Sequence, residues 1–260
     1  MNVLVCIKGV PAGSISLDDT GVLARNRAGS ELNPGDFYAL EAGLRIAEQT
    51  QGQVTALTMG PSSGETVLRT ALALGVKEGI LLSDPCFAGA DVYATAYTLS
   101  QGIRTLSSWD VILCGQQTTD GGTAQLPFSL AARLGIPALG WVKELKILED
   151  RLVLSQELRE GTQQAEVRTP CLIAVGKEIG TPRSPSLRSQ LRARNQKITV
   201  LTLQDLEDRN PDHYGLSGSR TQVIRVQNIQ KKRKNPPLSL SGQEGANAIL
   251  KLCREVTSHG

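Results

Sequence analysis

The chain repeats one pattern four times before residue 140: a short apolar run followed by a stretch with the spacing of an amphipathic helix. A continuous apolar run fits a strand buried on both faces, and the helix after it connects that strand to a parallel neighbour. Repeated strand and helix units therefore predict an α/β fold. The predicted strands are Val3 to Ile7, Val54 to Met59, Ile80 to Leu82 and Val111 to Cys114.

Each predicted strand is followed by helix signals. NPGDFYALEAGLRIAEQT carries Asp36 near its start as a candidate cap, and SSGETVLRTALALG has a candidate serine cap and a stop at Gly75. GADVYATAYTLSQGI and TAQLPFSLAARLG predict the third and fourth helices. The predicted architecture is an open, mostly parallel sheet with helices on both faces.

From residue 138 the sequence alternates polar and apolar residues, with turn signals near Glu149-Asp150 and Glu160-Gly161. This pattern predicts antiparallel strands added at one edge of the sheet, ending in a buried strand from Cys171 to Val175. Residues 176–237 are rich in Pro, Gly, Ser and Arg and cannot form a core alone. A last helix, with Ala248, Ile249, Leu252 and Val256 as its apolar stripe, completes an extended C-terminal arm.

Composition excludes several classes of function. A net charge of +3 gives no global field for nucleic acid or membranes, and no run approaches the roughly 18 apolar residues of a membrane span. Five scattered cysteines and two histidines form no zinc motif and no Ser/His/Asp set. We expect a cytoplasmic protein without membrane insertion, without a metal site and without catalytic side chains of its own.

The loop CGQQTTDGGTAQ, residues 114–125, follows the fourth predicted strand and is rich in small and polar residues. Ligands of open parallel sheets lie beyond the carboxyl ends of the strands, where LNPGD and the end of the first strand also converge. The N–H groups of Thr123 to Leu126 are predicted to begin a helix whose positive end favours phosphate. The loop is therefore a candidate nucleotide cradle.

Simpler interpretations of the same residues remain open. The loop also fits a tight connection capped by Thr123, and Asp120 fits either a ribose or amide partner or a loop cap. Asn33 and Asp36 are residue types that commonly cap helices. The loop has neither GKS/T nor GxGxxG, so it is neither a P-loop nor a dinucleotide fingerprint.

Residues 181–198 form a basic segment without an acid. The segment has no aromatic residue for base stacking, which argues against nucleic acid as its partner. A solvated basic face is the simplest interpretation. An exposed leucine surrounded by arginines would instead suit a small protein-docking site.

Several segments, in order along the chain, resemble one known family. VLVCIKGVP, LNPGDFYALEAGLRI, VTALTMGPSSGETVLRTALALGVKEGILLSD, FAGADVYATAYTLSQGI and CGQQTTDGGTAQ are similar to the beta subunit of electron transfer flavoprotein. The resemblance implies a nucleotide-binding fold like that of the adenine-nucleotide alpha-hydrolases. It also implies a heterodimer with an alpha subunit that carries FAD.

The resemblance further implies which residues bind the nucleotide. Ordinary members hold AMP in this pocket, whereas electron-bifurcating members hold a second FAD that accepts hydride from NADH. FAGAD followed by ATA, MGP, TPRSPS and YGLSGSRTQV resemble the bifurcating, anaerobe-type group, which favours FAD, with AMP as the alternative. The implied cofactor-binding residues are Cys6, Asn33, Pro34, Gly35, Asp36, Met59, Asp91, Thr95, Gly115, Gln117, Thr119, Asp120, Gly121, Gly122, Thr123, Ala124, Gln125 and Leu126. The loop departs from the family pattern at Gln116, where a base is usual, and at Gly122, where a second acid is usual.

Partners and domains follow from the same resemblance. Residues 1–180 would form the nucleotide-binding domain, 181–198 a partner recognition loop, and 199–260 an arm and helix that pack on the alpha subunit. The recognition loop would dock on a flavin dehydrogenase of acyl-CoA or lactate type through Arg183, Leu187, Arg188 and Leu191. Ferredoxin would be the low-potential acceptor. The alternative from another class is a stand-alone adenine-nucleotide-binding stress-type protein, which would be a homodimer without flavin.

Overall fold

The computed structural model describes residues 1–12, 30–148, 151–224 and 239–257. The chain divides into two compact units, Met1–Arg225 and Val226–Gly260. The predicted turn near Glu149-Asp150 and the middle of the predicted arm, residues 225–238, lie outside the described residues. Within the described parts, none of the helices has both the length and the apolar character to cross a bilayer.

The strands of the first unit form one large sheet and one small sheet. In chain order they are β1 (Val3–Cys6), β2 (Gly9–Pro11), β3 (Ser30–Leu32), β4 (Val54–Met59), β5 (Glu78–Leu82), β6 (Val111–Gly115), β7 (Ala138–Leu148), β8 (Arg151–Leu158), β9 (Gly161–Arg168), β10 (Cys171–Val175) and β11 (Ile198–Leu201). The large sheet has the order β11-β5-β4-β1-β6-β10-β7-β8-β9, and β2 pairs with β3 separately.

The large sheet confirms the predicted α/β architecture. β1 lies between β4 and β6 and runs parallel to both. β8 and β9 continue the sheet in antiparallel fashion beyond β7, so the antiparallel strands lie at one edge, as predicted. The opposite edge carries β11, which pairs in parallel with β5 and was not predicted from the sequence.

Helices cover both faces of the sheet. They are α1 (Pro34–Thr50), α2 (Glu65–Leu74), α3 (Val92–Arg104), α4 (Leu126–Leu134), α5 (Leu187–Asn195) and the short α6 (Gly215–Gly218), with α7 (Gly242–Thr257) in the second unit. α1, α2 and α5 contribute to the apolar cluster on one face. α3 and α4 pack into the cluster on the other face, so the strands between them are buried on both sides.

Two predicted helix caps are wrong. Asn33, rather than Asp36, occupies the cap position of α1, and its side chain makes no cap hydrogen bond because it is bonded elsewhere. Ser62–Gly64 form a 3-10 turn ahead of α2, which places Gly64 at the cap position in place of a serine. The predicted stop at Gly75 is confirmed, and its φ of 122° is one that glycine tolerates best.

The segment after β10 packs on the α/β core. Ser186 caps α5 by accepting a hydrogen bond from Ser189 N, and α5 packs against α2. Further along, Leu203, Leu206 and Tyr214 are buried in the cluster that contains α3. The segment up to Tyr214 therefore obtains its core from the domain that precedes it, as its composition requires.

Candidate functional site

The strand order places a crevice at the carboxyl ends of β1 and β6. The chain leaves β1 to reach β4 on one side, whereas the connection through α3 crosses back to β6 on the other side. Such a reversal of strand order is where open α/β sheets bind ligands. The loop after β6, residues 116–125, and the start of α1 both lie at this edge.

Asn33 ties the loop to the start of α1. Its Nδ2 donates to Gln117 O at 3.2 Å and to Asp36 Oδ1 at 3.0 Å, and its Oδ1 accepts from Thr119 N at 3.2 Å. The side chain is fully buried, so losing these partners would leave polar groups without water. The sequence predicted Asn33 at the site, but the structure shows that it positions the loop.

The Asp36 side chain is buried next to Asn33, at the start of α1. Its Oδ2 accepts a hydrogen bond from Lys8 N at 2.7 Å, just after β1. The backbones are also close, because a Cβ placed on Gly115 would lie 2.8 Å from the carbonyl carbon of Gly35. Burial raises the pKa of Asp36 to about 7, although the bonds from Asn33 and Lys8 oppose this shift. The floor of the crevice is therefore a rigid contact of β1, β6 and α1.

We expect Asp36 to give the protein a characteristic pH dependence. Between about pH 4 and 7 the unfolded chain releases this proton while the folded chain keeps it, so the free energy of unfolding falls as pH rises. The full effect is about 4 kcal/mol, at roughly 1.4 kcal/mol for each pKa unit, and it is complete above pH 7. Denaturant unfolding of wild type and Asp36→Asn at several pH values checks this, and equal slopes in the two proteins would contradict it.

Lys8 and Asp120 join the end of β1 to the tip of the loop. Lys8 Nζ lies 2.8 Å and 2.7 Å from the two carboxylate oxygens of Asp120. Burial raises the pKa of Asp120, but the hydrogen bond and charge of Lys8 outweigh it and hold this pKa below its usual value. Sequence reasoning missed Lys8, and the only signal for it was its position directly after the first predicted strand.

The helix that follows the loop begins later than the sequence predicted. α4 begins at Leu126 rather than Thr123, since Gly122 and Ala124 have left-handed φ values of 58° and 54°. Thr123 does not cap the helix; its hydroxyl only accepts a long 3.5 Å bond from Gln125 N. Within the described residues, the backbone N–H groups of Thr123 and Ala124 donate no hydrogen bond. An anionic ligand can approach these N–H groups closely, because Gly121 and Gly122 have no side chains.

Gln116 supports the loop from the side of β7. Its Oε1 accepts from Trp141 N at 2.6 Å, and Trp141 has a φ of 55°, which is rare for a bulky residue. The Nε2 of Gln116 is buried and has no partner among the described residues. The position where the family pattern usually has a base is therefore an internal support in this chain.

Comparisons with known proteins show the family of this chain. The model of the electron transfer flavoprotein domain matches residues 20–206, which is more than half of the chain. The chain belongs to the electron transfer flavoprotein family. It is 42% identical over 228 residues to the electron transfer flavoprotein subunit beta of Thermoanaerobacterium thermosaccharolyticum, covering 86% of each chain.

Two further relatives come from named reductase complexes. Subunit CarD of the caffeyl-CoA reductase-Etf complex of Acetobacterium woodii is 39% identical, over 86% of this chain and 87% of that protein. The acryloyl-CoA reductase electron transfer subunit gamma of Anaerotignum propionicum is 35% identical over the same shares. The stand-alone stress-type class considered from the sequence is not the family that this chain matches.

The cofactor-binding residues implied by the resemblance to electron transfer flavoprotein fall into two groups in the structure. Cys6 and Met59 end β1 and β4 at the same edge as the loop, and Cys6 lies opposite Cys114 of β6 in the sheet. Asp91 and Thr95 lie instead at the start of α3, with no hydrogen bond to the loop. The Asp91 carboxylate is already used, because it accepts from Ala94 N and from the 220–221 backbone.

The predicted partner-binding residues also divide into two groups. Arg183 is paired inside the chain, with Nε 2.8 Å from buried Glu41 and Nη1 2.5 Å from Glu48, so it anchors the segment to α1. Leu187 and Leu191 lie one turn apart on α5 and are 73% and 51% exposed. Arg188 is exposed beside them, and the segment predicted to be a loop is largely this helix.

Proposed function

We propose that this electron transfer flavoprotein subunit holds FAD at the crevice between β1 and β6, within a heterodimer with an alpha subunit. The observation that carries the proposal is the loop of residues 116–125, which has free N–H groups and two bare glycines at its rim and is fixed below by Asn33. AMP in the same crevice is the alternative ligand. Both ligands share the adenosine phosphate part that this loop suits.

The residues present fit such a nucleotide. Thr123 and Ala124 offer N–H groups to phosphate, and Gly121 leaves room for the ligand because a Cβ there would meet only Thr118 Oγ1, at 3.4 Å. Lys8 and Asp120 place a cation and a carboxylate at the rim, where they can meet phosphate and ribose. FAD, when bound, supplies hydride acceptance and one-electron transfer. The protein contributes position, charge and exclusion of water.

We propose further that electrons pass from NADH to a flavin dehydrogenase, with ferredoxin as a second, low-potential acceptor. Support comes from relatives named for caffeyl-CoA and acryloyl-CoA reductase complexes. The test uses the complex co-expressed with its alpha subunit, assayed for NADH oxidation with an acyl-CoA or a lactate dehydrogenase. We expect rapid oxidation only when ferredoxin is also present. NADH oxidation at the same rate with and without ferredoxin would contradict bifurcation. No NADH oxidation under any condition would contradict NADH as the donor.

Docking on the dehydrogenase is proposed for Leu187, Arg188 and Leu191. An exposed leucine pair on one helix face, next to an arginine, has the chemistry of a small hot spot with electrostatic steering. Arg183 contributes indirectly, because its bonds to Glu41 fix where α5 begins. Residues 1–180 would thus carry the nucleotide and 181–198 the partner site.

Leu187→Ala is expected to slow electron delivery to the dehydrogenase roughly tenfold or more, since truncating a hot-spot residue costs at least about 2 kcal/mol. Flavin content and the free energy of unfolding should stay unchanged, because the side chain is mostly exposed. Stopped-flow reduction of the dehydrogenase measures the effect. Leu158→Ala, a leucine 41% exposed on β8, is the matched control. Equal rates for the two variants would overturn the docking site.

The C-terminal residues 199–260 are proposed to contact the alpha subunit. In the second unit, α7 exposes Ile249 and Leu252 at 63% and 61%, three residues apart on one face. An exposed apolar stripe on an otherwise polar helix is suited to a partner surface. Deleting residues 239–260 is the direct test, and the expected result is loss of the alpha subunit during purification.

A further inference from the structure

A second cleft lies away from the loop, on the face covered by α3 and α4. It has a volume of about 420 Å³, which is within the range of small-ligand sites. Its walls are formed by Tyr93 and Tyr97 of α3, Arg133 from the last turn of α4, and residues 212–213 and 217–220. None of the residues 116–125 lines it.

Two arginines lie against the tyrosines of this cleft. The guanidinium carbon of Arg133 is 4.1 Å from the Tyr93 ring centroid and 5.1 Å from that of Tyr97. That of Arg220 is 4.9 Å from the Tyr93 ring. The guanidinium groups of Arg220 and Arg133 hold the pKa of the exposed Tyr93 hydroxyl below its ordinary value. Ring contacts of this kind fix a guanidinium while its N–H edges can still bind an oxyanion.

The part of the chain that the structure describes offers no ion-pair partner for the positive charge of the two arginines. Among the described residues, no carboxylate lies within ion-pair distance of Arg133 or Arg220. The Asp208 carboxylate is already hydrogen-bonded to the Tyr97 hydroxyl and to His213 Nδ1, each at 2.5 Å. The Asp91 carboxylate accepts a hydrogen bond from Arg220 N. Of the described residues that line the cleft, Asp212 is the one acid, and it is exposed.

We propose that this cleft binds the phosphate or pyrophosphate group of a small ligand, as a site separate from the nucleotide loop. Two guanidinium groups that line one cleft can each offer N–H donors to the oxygens of a phosphoryl group and give strong, charge-assisted hydrogen bonds. The Ser217 hydroxyl at the same wall can supply another donor. The Asp91 carboxylate accepts hydrogen bonds from the backbone N–H groups of Arg220 and Thr221 and holds this segment against α3, so the site is built before the ligand arrives.

The test is calorimetric titration of the purified, nucleotide-loaded complex with inorganic pyrophosphate. Each of Arg133→Gln and Arg220→Gln should weaken binding roughly tenfold or more, because each removes charge-assisted bonds. Arg133→Lys keeps the charge and should lose less affinity. Arg159→Gln, an exposed arginine in the β8–β9 turn, is the matched control and should bind like wild type.

The outcomes distinguish ligand binding at this cleft from a purely structural role of the two arginines and from binding at the nucleotide loop. Weaker pyrophosphate binding in Arg220→Gln with unchanged flavin content supports the cleft, even if Arg133→Gln proves too unstable to purify. No binding to wild type, or equal binding by wild type and both glutamine variants, overturns the proposal. Lower thermal stability in these variants with unaltered pyrophosphate affinity would show that the arginines only hold the 212–220 segment, and would overturn it as well.

Discussion

Gly115→Ala is expected to lower the free energy of unfolding by about 1–3 kcal/mol, the usual cost of overpacking a tight site, and to release the bound nucleotide. A Cβ at this position would lie 2.5 Å from Asp36 Oδ1 and 2.8 Å from the Gly35 carbonyl carbon. Neither neighbour can move freely, because Asp36 is bonded to Lys8 N and Asn33 and the other contact is backbone. The methyl group must therefore push β6 away from the start of α1.

Gly60→Ala is the matched control for this substitution. Gly60 follows β4 at the same edge of the sheet, and a Cβ there would meet nothing within 4 Å. Chemical denaturation of both variants, with nucleotide content measured on the same samples, checks the prediction. Equal unfolding free energies for Gly115→Ala and Gly60→Ala would contradict the close contact between β6 and α1.

Gly121→Val is expected to abolish nucleotide binding without unfolding the protein. Gly121 is exposed at the rim of the loop, and a Cβ there would meet only the Thr118 hydroxyl, at 3.4 Å, so the fold can accept a larger residue. The valine side chain would instead occupy space at the rim of the loop, where the nucleotide is proposed to bind. Loss of the ligand also removes its stabilisation, about 2.7 kcal/mol for a ligand at a hundred times its Kd.

The size of the side chain distinguishes steric exclusion from other effects at this position. Gly121→Ala should retain more nucleotide than Gly121→Val, while both should match wild type in unfolding free energy once nucleotide is removed. Released nucleotide is measured by chromatography after denaturation, and unfolding by circular dichroism. Full nucleotide content in Gly121→Val would mean that the loop does not contact the ligand.

Local patterns in the sequence were enough to predict most strands of the large sheet and its mostly parallel α/β architecture. Val54–Met59 and Cys171–Val175 have the predicted bounds, because continuous apolar runs between turn residues admit few other conformations. β11 was missed because Ile198–Leu201 is a short, half-exposed run whose partner, β5, lies more than a hundred residues earlier in the chain. Pairing between such distant segments leaves no periodic signal.

The candidate site was predicted in outline but not in its contacts. The loop was identified from its position after a strand and the Asn33–Asp36 segment from its position at the opening of the first helix, and the structure joins them. The Lys8–Asp120 and Arg183–Glu41 pairs connect residues far apart in sequence, so charge pattern alone could not reveal them. The start of α4 was placed too early because backbone at Gly122 and Ala124 turns left-handed, which residue type suggests for glycine but not for alanine.

The central claim is that the crevice between β1 and β6 holds FAD. The most direct measurement is the flavin and adenine-nucleotide content of the co-expressed heterodimer, released by denaturation and separated by chromatography. We predict two FAD for each heterodimer, one from the alpha subunit and one from this chain. One FAD with one AMP would contradict FAD in this crevice, and one FAD with no second nucleotide would contradict a nucleotide site in this chain.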